Sequence, residues 1–534
     1  MLSKREALGV KPGKRAGVGT GNDSRSRLRL IPLTPDYHLV NMAEFEPLTT
    51  NAHDLQRMLQ SGTVTSVQIV ERYLEQIHRY NPKLKALVSI APADDLYRIA
   101  KRLDDERREG LLRSPLHGVP IVLKDCFITS SDLGMTTCAG ATVFASAKAS
   151  ENAAIVEMLV RSGLIIIAKS NMTEFAGMKT IKMMPGWSPQ GGQTISPYTG
   201  PILENERLLG HSAPGGSSTG SAVAVAAGFS PLSLGAETIG SIVTPTVRAG
   251  LYALKPTVGV QNTTGMYRMT EFYDSPGPMG KCAADILALS ELLLGRPLQS
   301  SGMGTWDGLR VAFLDPSDWK MDVSMCEQFP GTEEQMREEY AAAIMRMEER
   351  GCYVKYPAAI ADVSELDIGG KSTGIHISFW DFKHIGLPEF IDAFNECPVT
   401  QLEDIVNFND ANRATAMPEP YTEQDLLLRA QGFADSPEEI NVMKEELRAK
   451  GRSILDEVFE RDNVDLIGAP GDSPLCVHAA AAGYPHATVP LGQLRHNGRP
   501  FGLNVVARQN NEDILMRFMT AYERQAYPRP LPSL

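Results

Sequence analysis

The 534-residue chain has only seven cysteines, scattered with no C-x-x-C pair. That pattern offers neither a disulfide framework nor a cysteine zinc site, and it makes a reducing, cytoplasmic compartment the expectation. Its ten histidines form no H-E-x-x-H or similar spacing, so no metal and no other cofactor is expected. Long apolar runs are missing too. Met158–Ala168, among the longest, is broken by Arg161, Ser162 and Gly163, so no membrane span or membrane partner is expected. Internal repeats and heptads are absent. Positive charge is in short supply, with 52 Lys and Arg against 64 Asp and Glu for a net −12. A nucleic-acid partner therefore has no electrostatic footing.

The one basic stretch is the first thirty residues, where eight Lys or Arg face only Glu6 and Asp23 and leave a net +6. It is rich in Gly and Ser and has no continuous apolar h-region, so it reads as a disordered tail over 1–30 rather than a signal peptide. Its glycines oppose the amphipathic helix of a mitochondrial leader, which places that reading, like an interaction arm, behind the plain tail.

The remainder reads as one α/β domain over 48–523. Thr65 and Gln68 form a capping box before a helix whose apolar face is Val67, Val70, Tyr73, Leu74 and Ile77, ended by Asn81-Pro82. A strand over Leu84–Ile90, a helix from Ala93 to Arg108, and short apolar strands at Pro120–Leu123 and Leu164–Ala168 follow. Ser221–Ala227 is too uniformly small and apolar to face water and reads as a buried helix. Leu232–Ala236, Tyr252–Leu254 and Leu309–Phe313 read as strands, and Ala283–Leu294 as a helix. From about 330 to 460 charged helical segments dominate, opened by a capping box at Thr332 and Gln335, and read as a helical insert that could wall a pocket. Strands return at Val464–Ala469, Ala487–Pro490 and Leu503–Ala507, with a closing helix at Glu512–Tyr522. This alternation predicts a large mixed sheet flanked by helices.

The chemistry concentrates in Gly210–Thr257, GHSAPGGSSTGSAVAVAAGFSPLSLGAETIGSIVTPTVRAGLYALKPT, and in Lys124 within HGVPIVLKD. A lysine at a strand end is commonly an ion pair; to act as a base it needs burial to lower its pKa. Gly215–Gly220 lacks the Gly-Lys-Ser/Thr of a phosphate loop. Gly216–Gly220 does satisfy G-x-S-x-G, but no apolar strand precedes it, so a Ser218/His486 hydrolase is an outlying reading. Thr238-Ile239-Gly240-Ser241 could aim successive backbone N–H groups at one oxygen, or could be a plain structural turn.

On these residues the chain resembles the amidase signature family. The hallmarks are Gly215–Ala222, Glu237–Ile242 and Gly250–Thr257, with His117–Ile121, Lys124-Asp125, Ala168–Met172 and Glu174-Phe175 upstream and Gly483–Pro485 and Gly498–Pro500 downstream. Gly191–Thr194 and Glu237-Thr238 resemble its peptide-amidase-like branch. The resemblance implies an acyl-enzyme amidase with Ser241 as nucleophile, Ser217 as a bridging serine in a cis peptide unit with Gly216, and Lys124 as final base within reach of Ser217. It also implies an oxyanion hole from the N–H groups of Thr238, Ile239, Gly240 and Ser241, with Ser218 in support. Ile239 stands where the family has glycine or aspartate, and Val243 replaces a common arginine.

The expected reaction is R-CO-NH2, or a small secondary amide, plus water giving acid plus ammonia or amine. Ester hydrolysis and acyl transfer on the same fold are the alternatives, together with a role as a weakly active subunit or scaffold. The expected partner is a small-molecule amide, with room for a homodimer. Gln193, Phe379 and Trp380 are candidate substrate contacts, the two aromatics being equally readable as core.

Overall fold

A computed structural model describes residues 45–299, 301–319, 325–326, 329–525 and 528–534. The basic stretch 1–30 lies outside the described residues. Thirteen strands are present among the described residues: β1 (Leu87–Ile90), β2 (Pro120–Lys124), β3 (Ile165–Ser170), β4 (Trp187–Ser188), β5 (Gly192–Gln193), β6 (Leu232–Glu237), β7 (Tyr252–Lys255), β8 (Ser275–Gly280), β9 (Arg310–Leu314), β10 (Tyr353–Ala358), β11 (Leu466–Pro470), β12 (His486–Gln493) and β13 (Pro500–Ala507). β4 and β5 form a separate ribbon. The other eleven form one sheet in the order β1-β3-β2-β6-β8-β7-β12-β13-β11-β9-β10. It is mixed: β2 runs parallel to β3 and β6, and β9 parallel to β10 and β11, while the centre from β6 through β13 is antiparallel. β2, β3, β6 and β7 are buried along their whole length, which is why they read as continuous apolar runs rather than alternating ones.

The helix Ser66–Leu84 begins at the capping box foreseen, with Thr65 Oγ1 accepting from Gln68 N–H and Gln68 Oε1 accepting from Thr65 N–H. It continues through Pro82 instead of ending there. Proline forfeits only its own N–H, and in a last turn that loss is small. The box expected at Thr332 and Gln335 does not form. The helix Thr332–Glu348 starts behind Gly331 with no side-chain cap. Gln335 instead donates to Gln493 O at 2.8 Å and accepts from Arg495 N–H at 2.9 Å, so a tertiary partner outcompetes the local one.

The short ribbon β4–β5 and two strands of the main sheet, β8 and β10, escaped the sequence reading. β8 is Ser-Pro-Gly-Pro-Met-Gly in the middle of the sheet, a composition that reads as a turn because proline cannot donate to a ladder. β10 lies within the region read as helical and adds to β9 at one edge, its side chains alternating between exposed and half-buried. Beyond it, the helices Thr373–Asp381, Leu387–Asp392 and Leu402–Ala411 bury Phe379, Phe382, Phe390 and Ile405 in the same core as β2 and β3. A buried pair ties this region down further: Lys179 Nζ donates to Glu174 Oε2 at 2.8 Å and also to Ala416 O.

Arg248 does comparable work in the other half. Wholly buried in the helix Val243–Arg248, it donates to Leu209 O, Gly210 O and Ala213 O and to Asp472 Oδ1. Asp472 also accepts from Arg499 at 2.8 Å, and the two guanidinium groups hold its carboxyl far below the usual carboxylate range. Arg248→Met leaves Leu209 O and Ala213 O unpaired, Gly210 O keeping only Ala213 N–H, and halves the compensation of Asp472. The expected cost is about 3 kcal/mol or more in urea unfolding, with Arg248→Lys recovering only part of it.

Candidate active site

The site is assembled by a single excursion of the chain. A glycine- and serine-rich turn enters the buried helix Thr219–Ala226, β6 returns along it, and a second turn leads into the helix Val243–Arg248. The return brings Ser217 and Ser241 side by side. Ser217 N–H points to Ser241 Oγ at 3.4 Å, and Ser218 N–H donates to Ser241 O at 3.1 Å. A Cβ on Gly216 would lie 2.9 Å from Ser241 Cα, so only glycine permits this approach. The first turn is held from below by Thr219 Oγ1, which donates to Gly216 O at 2.6 Å, and from the side by Thr173 N–H on Ser217 O at 3.2 Å.

Lys124 ends β2, one strand from β6. Its Nζ donates to Ser217 Oγ at 2.7 Å and to Ala236 O at 2.9 Å. It is 1% exposed, and burial lowers its pKa from the ordinary lysine value, while Cys126, Asp274 and Glu237 oppose that shift. Ser218 is fixed on the strand rather than free to attack: its Oγ donates to Ala236 O at 3.0 Å and accepts from Ala236 N–H at 3.3 Å. His486 is fully buried on β12 with neither ring nitrogen hydrogen-bonded, its pKa pushed down to about 3 by burial. The outlying Ser218/His486 pair is therefore not built.

The peptide unit Gly216–Ser217 is a correction. The cis bonds among the described residues are Tyr356-Pro357 and Glu419-Pro420, so the unit expected to be cis is trans, the form favoured by roughly 3 kcal/mol for a bond not preceding proline. In this arrangement the Ser217 backbone N–H, rather than its hydroxyl, faces Ser241 Oγ.

In the second turn Gly240 takes the left-handed position at φ 72°. Ile239 does not, so its β-branched side chain is accommodated without strain. None of the N–H groups of Thr238, Ile239, Gly240 and Ser241 donates within the described residues. The next two, on Ile242 and Val243, donate to Glu237 Oε2 at 2.6 and 2.9 Å. Ile239 is 40% exposed between the buried Glu237 and Gly240, so an apolar side chain stands open beside four unclaimed donors. The Thr238 side chain acts on buried Asp274, opposing the rise in pKa that burial imposes on that carboxyl. Glu237 and Asp274 as anchors of this turn were missed by sequence reasoning. Only the position of an acid at the end of a wholly apolar strand signals the first, and nothing local signals the second.

The three substrate-contact candidates are placed elsewhere or otherwise engaged. Gln193 Nε2 donates to Pro185 O at 2.9 Å and Thr194 O at 3.2 Å, bracing its own loop. Phe379 is buried against Phe433 and beneath Arg429. Trp380 donates to Asp435 O and lies on His384. The aromatic from the helical region that meets the Trp187 loop is Tyr421, 4.7 Å from the Trp187 ring and accepting from Met184 N–H at 3.2 Å. That loop reaches the serine turns through Gly186 N–H on Thr173 Oγ1 at 2.8 Å.

A mixed eleven-stranded sheet with flanking helices is the architecture of the amidases. The chain belongs to the amidase family: the family model Amidase matches residues 68–369. The native peptide amidase from Stenotrophomonas maltophilia superposes with a TM-score of 0.77 at 28% identity, over 91% of this chain and 98% of that one. A putative amidase of Schizosaccharomyces pombe is 26% identical over 88% of this chain and 84% of its own length. One subunit of the glutamyl-tRNA(Gln) amidotransferase of Symbiobacterium thermophilum is 37% identical, but over only 46% of either chain. No helix among the described residues is long and apolar enough to cross a membrane.

The lowered pKa of Lys124 fixes the sign of a stability effect. The unfolded chain holds that proton more tightly, so folding releases it between the lowered folded value and the ordinary one, and stability rises with pH across that window. In Lys124→Met this contribution vanishes. Urea unfolding of the two proteins as a function of pH should show the parent gaining on the variant, by about 1.4 kcal/mol for each unit of lowering.

Proposed function

We propose that the protein is a serine amidase in which Ser241 is the nucleophile, Ser217 the proton bridge and Lys124 the base. The observation that carries this reading is the hydrogen bond from buried Lys124 Nζ to Ser217 Oγ, with Ser217 in contact with Ser241. The reaction requires the Ser217 hydroxyl to turn towards Ser241 Oγ, which at rest is met by the Ser217 N–H at 3.4 Å. Neutral Lys124 then takes a proton from Ser217 Oγ as Ser217 Oγ takes one from Ser241, and Ser241 Oγ forms a bond to the amide carbon. The developing oxyanion is met by the N–H groups of Thr238, Ile239, Gly240 and Ser241, a type of donor worth about 3 kcal/mol each in the transition state. The relay then delivers a proton to the leaving nitrogen, the C–N bond breaks, and ammonia or amine departs. Water repeats the sequence on the acyl-Ser241 ester and releases the acid.

The exposed Ile239 favours neutral, apolar groups beside the scissile carbonyl. The peptide amidase similarity supports a carboxamide substrate with Trp187 and Tyr421 on its wall. A role within a larger assembly draws on the partial match to the amidotransferase, and release of free ammonia by the isolated chain separates the two.

Ser241→Ala should lower hydrolysis of a carboxamide panel by about a thousandfold or more and abolish labelling by a fluorophosphonate. Equal labelling of parent and variant would remove Ser241 from its role. Ile239→Asp should cut kcat/KM for amides of apolar acids by about tenfold relative to amides with a cationic group near the carbonyl; an unchanged ratio would place the specificity wall elsewhere.

A further inference from the structure

Behind the second serine turn lies a buried polar pocket that the reaction scheme does not use. Glu237 is 1% exposed, and while its Oε2 holds Ile242 and Val243, its Oε1 has no hydrogen-bond partner. Lys255, at the end of β7, is 0% exposed, and its Nζ has none either. Asp274 Oδ1 and Gln261 Nε2 are in the same condition.

The register of the sheet brings the first two together. Glu237 pairs with Ser275 on β8, and Ala253 pairs with Met279 on the other side of that strand. Continued by two residues, the second register sets Lys255 opposite Gly277, on the same face as Ser275 and so as Glu237. Gly277 carries no side chain, and a Cβ there would collide with Leu254 O and come 3.0 Å from Ile242 Cδ1, so the buried Ile242 side chain packs over the glycine between them. The face they share is thus the one that supports the nucleophile turn.

We propose that Lys255 is a positioning residue whose ammonium balances the Glu237 carboxylate across β8, holding the clamp on the nucleophile turn and offsetting the negative charge that would otherwise act on Lys124. A buried ammonium and a buried carboxylate oxygen on one face of the sheet attract through space, and neither atom has another hydrogen-bond partner among the described residues. The charge neighbours agree. Burial lowers the pKa of Lys255 from the ordinary lysine value; Glu237, Asp274 and Cys476 oppose that shift and hold the charge, and Arg448 adds to it, with His486 beside it on β12. Burial lowers Lys124 likewise, against Cys126, Asp274 and Glu237. His486 is neutral and burial pushes the Cys476 thiol up to about 12. Arg448 is engaged with Phe272 O, Ala480 O and Ala481 O. Lys255 is therefore the cation left to answer Glu237.

The inference rests on Lys124 as the base, and the test separates the two. The rate of Ser241 labelling by a fluorophosphonate is followed against pH, which needs no knowledge of the substrate. Lys124→Met should lose labelling; if it does not, the reaction scheme fails on its own account. In Lys255→Met the loss of a positive charge leaves Glu237 uncompensated and favours protonated Lys124. The acid limb of the profile should then move up by about half a pH unit or more. Glu237→Gln alone should move it down, and the double variant should bring it back towards the parent. A limb that stays in place in folded Lys255→Met overturns the proposal, as does a double variant that keeps the single shift. Should Lys255→Met not fold, Glu237→Gln decides: a limb that fails to move down overturns it.

Discussion

Two turns distant in the chain's path have to touch with no side chain between them, and the rest of the site follows from that contact. Gly216 provides it, because any Cβ there would collide with the backbone of Ser241. To bring the turns to that point the chain uses the shortest device available, a helix of small residues packed against the strand that follows it. The small residues let helix and strand approach closely. Ser218 then bonds both donor and acceptor of Ala236, so the two turns are tied to one strand end. Glu237 and Asp274 brace the far turn from behind, and Thr173 and Thr219 brace the near one. The reactive groups are thereby set by backbone geometry, not by the rotamers of long side chains.

Much of this was legible because it obeys simple periodicities. Strands buried on both faces announce themselves as apolar runs, and β2, β3, β6 and β11 were placed to within two residues or so of their ends. The helix opened by Thr65 was readable because its cap is local. What failed did so for non-local reasons. β8 contradicts strand propensity outright, and only its neighbours on both sides make it a strand. The Thr332 cap was lost because Gln335 found Gln493 and Arg495, remote in sequence. The trans unit at Gly216–Ser217 departs from what the family resemblance implied. Phe379 and Trp380 were weighed as pocket or core; Phe379 is in the core shared with β2 and β3, and both rest on the loop that carries Phe433 and Asp435. Tyr421, with no motif around it, went unnoticed.

The similarity to known amidases divides along the same lines. The amidotransferase subunit of Symbiobacterium thermophilum has the higher identity but covers under half of the chain, whereas the peptide amidase superposes over nearly its full length. The helical region is fastened to the rest of the chain at many points, among them the Lys179 pair, Tyr421 on Met184, Thr270 Oγ1 on Asp381 Oδ2 and the Phe144–Phe390 contact at 5.2 Å. Changes in these helices can reach the site through the Trp187 loop and Thr173, and also through Thr270, which joins Asp381 to Asp274.

β10 was introduced as the strand hidden among helices, but it is also where the great sheet stops. Eleven strands in register present a long template of backbone donors and acceptors, and an unguarded margin would invite another chain to continue the ladder. This margin is poorly suited to that. Its register with β9 slips between Lys355 and Ala358, Pro357 supplies no donor, and Lys355 places a charge on the rim. The same residues that made the segment hard to read as a strand protect the molecule from growing by one.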